Sequence, residues 1–169
     1  MTTESDLRRA EAIVGKYTLA AAATGAIPVP AASVAIVAET AAMLGHLSSV
    51  LGAQITWATI FESLGFAATL NVVGRQLFLE GAKAVGWGAA GPLAAAALSG
   101  LGAATAGVQT YILGLIAIEI GKNDGRAITE DAAKLLIARG KAGYESFVAR
   151  FESSREARAE VVPRTEGRR

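Results

Sequence analysis

From Ala12 to Ile118 the chain is built almost wholly of Ala, Gly, Ile, Leu and Val, interrupted only by the charges Lys16, Glu39, Glu62, Arg75, Glu80 and Lys83. Within this run the apolar positions recur at helical spacing, and glycine–proline punctuation divides it. In the first segment Leu7, Ala10, Val14, Tyr17 and Ala21 recur at intervals of three and four, one apolar seam of a helix that begins near Ser5 with Asp6 in its first turn. It stops at Gly25-Ala-Ile-Pro-Val-Pro30, where Pro28 and Pro30 each push the preceding residue out of the α region and make a rigid structural turn. A second helix is predicted from about Ala31 to Leu51, and a third from a Thr56 cap to about Lys83. The break Gly86-Trp-Gly-Ala-Ala-Gly-Pro92 opens a fourth, from about Pro92 to Ile120. Lys122-Asn-Asp-Gly125 is a turn, and Thr129 with Glu130 and Asp131 starts a fifth helix that is amphipathic, with Leu136, Gly140, Tyr144, Phe147 and Phe151 on one stripe. The charged stretch 153–169, with Pro163, reads as a disordered tail behind a single domain spanning 1–152. The expected fold class is all-α: about five helices in hairpins, packed closely through Gly and Ala.

Composition sharpens this. Hydrophobic residues make up 52% of the 169, but aromatics only 6%, and much of the remainder is alanine. Alanine buries little area at roughly 25 cal/mol per Å², so such a core is weak unless helices approach closely. The fourth helix carries the sharpest pattern: Gly100, Gly107, Gly114 and Gly121 fall every seven residues, with Ala104 and Tyr111 between them on the same face. Each glycine costs about 1 kcal/mol in a helix interior. Four in register imply another backbone seated in the groove, within the chain or between copies. Ile112 and Ile116, with Thr105 and Gln109, lie on the opposite face.

A membrane span needs about 20 apolar residues, and 93–118 qualifies. The second and third helices carry Glu39, His46, Glu62 and Arg75, and a charge at bilayer depth costs at least about 2.5 kcal/mol. Those helices suit re-entrant or interfacial hairpins better than straight crossings. Basic residues cluster at both ends, and the N-terminal stretch lacks the basic n-region of a signal peptide, which places the chain inside the cell, at a membrane or on its inner face. A net charge of +1 recruits no nucleic acid, and the absence of cysteine excludes disulfides and thiolate metal sites.

Chemistry is sparse. Glu39 and His46 lie seven apart on one helix face, and with Glu62 they form the one candidate polar site, for a metal or a proton; more often such residues form an interhelical hydrogen-bond pair or point at water. There is one histidine, no Gly-x-Ser-x-Gly, and no Gly-Lys-Ser/Thr after the glycine-rich stretches. The expectation is no catalytic residue, no cofactor and no bound metal.

Two motifs carry a family resemblance. The segment from Ala21 to Thr40, with its Gly-Ala-Ile-Pro-x-Pro turn before an Ala-rich helix, and the later Gly102-Ala-Ala-Thr-Ala-Gly-Val-Gln-Thr-Tyr-Ile-Leu-Gly114 resemble the YcjF-like bacterial domain of unknown function. The resemblance spans about residues 12–120. It implies a helical, membrane-associated bacterial domain, of a kind often fused behind Era-like GTPase domains; this chain carries no GTPase module, so any GTPase would be a separate partner. The family supplies no catalytic residues.

The resulting expectation is a non-enzymatic protein at the bacterial inner membrane or its cytoplasmic face, with lipids as partners, that forms a homo-oligomer through its Gly/Ala surface. Two alternatives come from other classes. One is a soluble module holding an apolar ligand or lipid near Trp57, Trp87, Tyr111 and His46. The other is a pore or transport component whose polar path is lined by Glu39, Glu62 and Arg75.

Overall fold

The computed structural model describes residues 2–27, 32–65 and 91–161, with side-chain surroundings for 2–27, 34–65 and 102–150. The architecture is all-α with five helices, and no strand occurs among the described residues. Helix α1 spans Glu4–Gly25, α2 Ala32–Leu51, α3 is described over 57–65, α4 spans Gly91–Lys122 and α5 Glu130–Val161.

The starts follow from capping chemistry. Thr3, two residues before the predicted Ser5, is the N-cap of α1: its hydroxyl accepts the Asp6 N–H, and the Asp6 carboxylate accepts the Thr3 N–H at 3.0 Å. This reciprocal pair satisfies donors at both ends of the first turn, which Ser5 inside the helix cannot do. The predicted Thr56 start of α3 holds, with Thr56 Oγ1 accepting the Thr59 N–H and Thr59 Oγ1 accepting the Thr56 N–H. Thr129 likewise caps α5 through the Ala132 N–H. The predicted end of the third helix near Lys83 lies outside the described residues, as do Pro28 and Pro30.

The ends follow from glycine. Helix α4 closes through Gly125, whose φ of +80° lets its N–H reach the Ile120 carbonyl at 2.9 Å. A Cβ at Gly125 would also stand 2.7 Å from the Gln54 carbonyl oxygen, so the α4–α5 turn is pressed against the α2–α3 connection. Ser48 and Ser63 fasten the same end of the bundle. Ser48 Oγ donates to the Leu44 carbonyl and accepts the Ile55 N–H; Ser63 Oγ donates to the Thr59 carbonyl and accepts the Ile128 N–H.

Helix α5 departs from expectation at its far end. It continues to Val161, beyond Ser153, where the sequence reads as a disordered tail. No glycine or proline interrupts 144–162, and acidic and basic residues alternate along it, so nothing local breaks the helix before Pro163.

The core lies where α1, α2 and α4 meet, with α3 and the start of α5 closing one end. Met43, Leu47, Ile60, Ile116 and Ile120 are fully buried there, beside Val14, Leu44, Leu51, Ile55 and Leu64. The predicted seam of α1 is the one it buries: Ala10, Val14 and Ala21 are inside, and Leu7 and Tyr17 pack at the edge. Helix α4 is the axis. It packs on α1 most extensively and also on α2 and α5, and it is buried on the glycine face and the Thr105, Ile112, Ile116 face alike. Helices α2 and α5 make no contact among the described residues, so they stand on opposite sides of the α1–α4 pair.

Candidate functional site

Two constellations were legible in the sequence, and the structure uses both for joining helices. The first is the glycine register of α4. A Cβ at Gly107 would collide with the Tyr144 hydroxyl of α5 and stand 3.3 Å from Ala22 Cβ of α1. At Gly114 it would lie 2.5 Å from Val14 Cγ1, and at Gly121 it would collide with Leu51 Cδ1 of α2. The groove is therefore filled, in order, by α5 with α1, by α1 and by α2 of the same chain. Gly100 lies on α4 outside the residues whose surroundings are described, Ala104 is exposed, and Tyr111 is buried with its ring stacked on Phe147 at 4.2 Å.

A further close contact was not anticipated. A Cβ at Gly25 would stand 2.6 Å from the Gly102 carbonyl oxygen and 2.7 Å from Ala106 Cβ. With the Val14–Gly114 and Ala22–Gly107 contacts, this makes α1 and α4 antiparallel neighbours at a separation only glycine permits. The clue in the sequence was Gly15 and Gly25 on the apolar side of α1; both are buried.

The second constellation is polar. Glu39 and His46 do share a face of α2, and that face meets α1. Tyr17 Oη and His46 Nδ1 lie 2.9 Å apart, and Thr24 Oγ1 donates to Glu39 Oε1 at 2.7 Å. Tyr17 and Thr24 are also seven residues apart, so an antiparallel hairpin presents each to its partner one level further along. Two polar rungs thus fix the register of α1 on α2. They differ in environment. The Tyr17–His46 rung is at the surface, whereas Glu39 is half-buried and its Oε2 is sealed from solvent with no hydrogen-bonding partner among the described residues. Thr18, fully buried on α1, also has a hydroxyl with no hydrogen-bonding partner among the described residues.

Glu62 does not join them. It is exposed on α3, while Glu39 and His46 are themselves about 10 Å apart along α2. No group of three or more potential metal ligands occurs among the described residues. The aromatic residues considered as a pocket are equally dispersed: His46 contacts Tyr17, Trp57 stacks on Phe61, Tyr111 stacks on Phe147, and Trp87 lies outside the described residues. Of the polar path, Glu39 is bound to Thr24, Glu62 faces outward and Arg75 is undescribed.

Among the described residues two segments are long and apolar enough to cross a membrane, Val34–Leu51 and Gly102–Lys122. Their settings differ. In Gly102–Lys122, 56% of the residues are buried inside the chain; in Val34–Leu51 only 33% are. Glu39 and His46, the polar residues that disfavour α2 as a span, are both bonded to α1 side chains.

No family model, no curated protein and no solved structure matches this chain.

Proposed function

We propose that this chain is a non-enzymatic, membrane-associated helical protein acting through helix packing and lipid contact rather than chemistry. The observation that carries the reading is the state of α2: an apolar helix of membrane-crossing length in which only 33% of the residues of Val34–Leu51 are buried. Its two ionisable side chains are engaged by Tyr17 and Thr24, which lowers the cost of placing the helix against lipid. Among the described residues the bonded polar side chains serve caps, turns, helix pairing and ion pairs or back-bonds within single helices.

The glycine register serves this function from inside. Gly107, Gly114 and Gly121 accommodate α1, α2 and α5, so joining two copies through that groove would require those helices to leave it. A homo-oligomer, if formed, uses another surface. A bacterial inner-membrane location and a separate GTPase partner follow from the YcjF-like resemblance and rest on its two motifs.

The burial of α4 favours a second reading, a soluble bundle with α4 as its core helix, since a core helix is hydrophobic all round. Cell fractionation separates the two. The membrane reading expects the protein in the membrane pellet, resistant to high salt and released by detergent. Full recovery in the soluble fraction would establish the second reading instead.

A further inference from the structure

The two sides of the bundle differ sharply in character. On α2 the exposed positions are Val34, Val37, Ala38, Ala41, Ala42, Gly45 and Ser49, with His46 at the edge toward Tyr17. The first seven are uncharged residue types, and Val34 and Val37 are 74% and 57% exposed. Ile27, at the end of α1 beside the start of α2, adds another exposed apolar side chain at 48%. On the far side of the α1–α4 pair, α5 exposes Lys134, Arg139, Lys141, Glu145 and Arg150, with Leu135 at 72% as its one large apolar exposure among the described residues.

From this asymmetry we infer that the outer face of α2 is a lipid-contacting surface, with the bundle lying on its side: α2 toward the bilayer and α5 toward water. The inference rests on the membrane reading and specifies which surface executes it. An apolar helix face set against a charged opposite side is the arrangement that partitions into the headgroup–acyl boundary, at a depth of about 5–10 Å. Glu39 does not oppose this, because its carboxylate is held inward by Thr24.

Area distinguishes lipid from a second copy. From Val34 to Ser49 the face is about 24 Å long and about 10 Å wide, on the order of a few hundred Å². A stable protein interface needs about 800 Å² on each partner. A bilayer has no such threshold, since it also meets the flanking Ile27 and each buried methylene contributes independently.

The chain contains no cysteine, so single-cysteine variants report one position each. Val34→Cys, Ala41→Cys and Ser49→Cys on α2, and Glu145→Cys on α5, are labelled with an environment-sensitive fluorophore. They are mixed with phosphatidylethanolamine–phosphatidylglycerol vesicles, some carrying nitroxide-labelled lipid, while sedimentation of the unlabelled protein measures binding separately. The expected result is blue-shifted, lipid-quenched emission at the three α2 positions and none at 145. Ala41→Glu, a helix-compatible change at an exposed site, should weaken vesicle binding roughly tenfold or more while leaving the circular dichroism unchanged. If the protein sediments with vesicles but the α2 labels stay in water, or the label at 145 enters lipid, the inference is wrong and the membrane reading stands. If the protein sediments with no vesicle, both are wrong. Shielding of the α2 labels without vesicles also overturns the inference: a doubled mass would assign the face to a second copy, and an unchanged mass to another part of the same chain.

Discussion

Thr3 and Asp6 show how a few atoms set the start of an element. The Thr3 hydroxyl and N–H both bond the Asp6 carboxylate, holding that carboxyl below its ordinary value; Arg9 adds a smaller push in the same direction. A lowered carboxyl stabilises the folded state above the unfolded-state value and loses that contribution as pH falls through the folded one. Asp6→Asn should therefore flatten the most acidic part of the stability profile, read as the urea midpoint of the helical dichroism below pH 4, with no change in the pH dependence near neutrality. Thr3→Ala, which removes the cap hydroxyl and its bond to the Asp6 carboxylate, should cost about 1 kcal/mol near neutrality and less as the pH falls and Asp6 protonates.

Glu39 makes the opposite case, a residue whose bonding is incomplete. Thr24 satisfies one oxygen and nothing among the described residues satisfies the other, although it is sealed from water. Leaving a buried carboxyl oxygen unpaired is costly, so Glu39→Gln, which keeps the oxygen that Thr24 bonds, should leave stability unchanged or raise it. Thr24→Val, which strands the remaining oxygen, should lower it by about 1–3 kcal/mol. Thermal melts of both variants test this directly; destabilisation by Glu39→Gln as large as that of Thr24→Val would refute the account.

Among the elements, α1 and α4 depend on each other most closely. Both methyls of Val14 lie where a Gly114 side chain would go, and a β-branched residue has little freedom to turn aside. Gly114→Ala would gain about 1 kcal/mol of helix propensity in isolation, but the overlap with Val14 should outweigh it and leave a net loss of about 1–3 kcal/mol. Pairing it with Val14→Ala should recover most of the loss, with a coupling energy of about 0.5–3 kcal/mol in a double-mutant cycle. Additive effects would mean that Val14 and Gly114 do not confine one another. The same contact explains why the seven-residue glycine spacing was readable in advance while its partners were not. The spacing is a property of one helix, whereas the choice of Val14, Leu51 and Tyr144 depends on how three other helices cross it.

For the molecule as a whole, hydrophobicity is spent in two ways. Over Gly102–Lys122 more than half of the residues of α4 are buried, whereas only a third are in Val34–Leu51 of α2, although the two windows are similarly apolar. Length and composition cannot distinguish these uses, because both helices pass the same test for crossing a membrane. Burial does distinguish them, and it moves attention from the glycine-lined helix, where the pattern was sharpest, to the plainer helix beside it. A Gly107→Leu, Gly114→Leu variant should consequently unfold rather than merely change its oligomeric state, seen as loss of helical dichroism in detergent. A folded variant of altered mass would return the groove to a role between copies.

The sequence by itself determined the all-α class, the positions of the helix starts at Thr56 and Thr129 and the α4–α5 turn, the apolar seam of α1 and the need for close packing along α4. These depend on neighbours within a few residues: a capping hydroxyl, a positive φ at glycine, a repeat of three and four. It also placed Glu39 and His46 on one face, and in retrospect the matching interval of Tyr17 and Thr24 was there to be read. Only the tertiary structure decided that those four residues form two rungs of a hairpin, that Glu62 stands apart, that the glycine groove is filled from within at Gly107, Gly114 and Gly121, and that α2 keeps an exposed, largely apolar face. Each of these is a relation between segments distant in the chain, and periodicity along one helix says which residues share a face but not what that face meets.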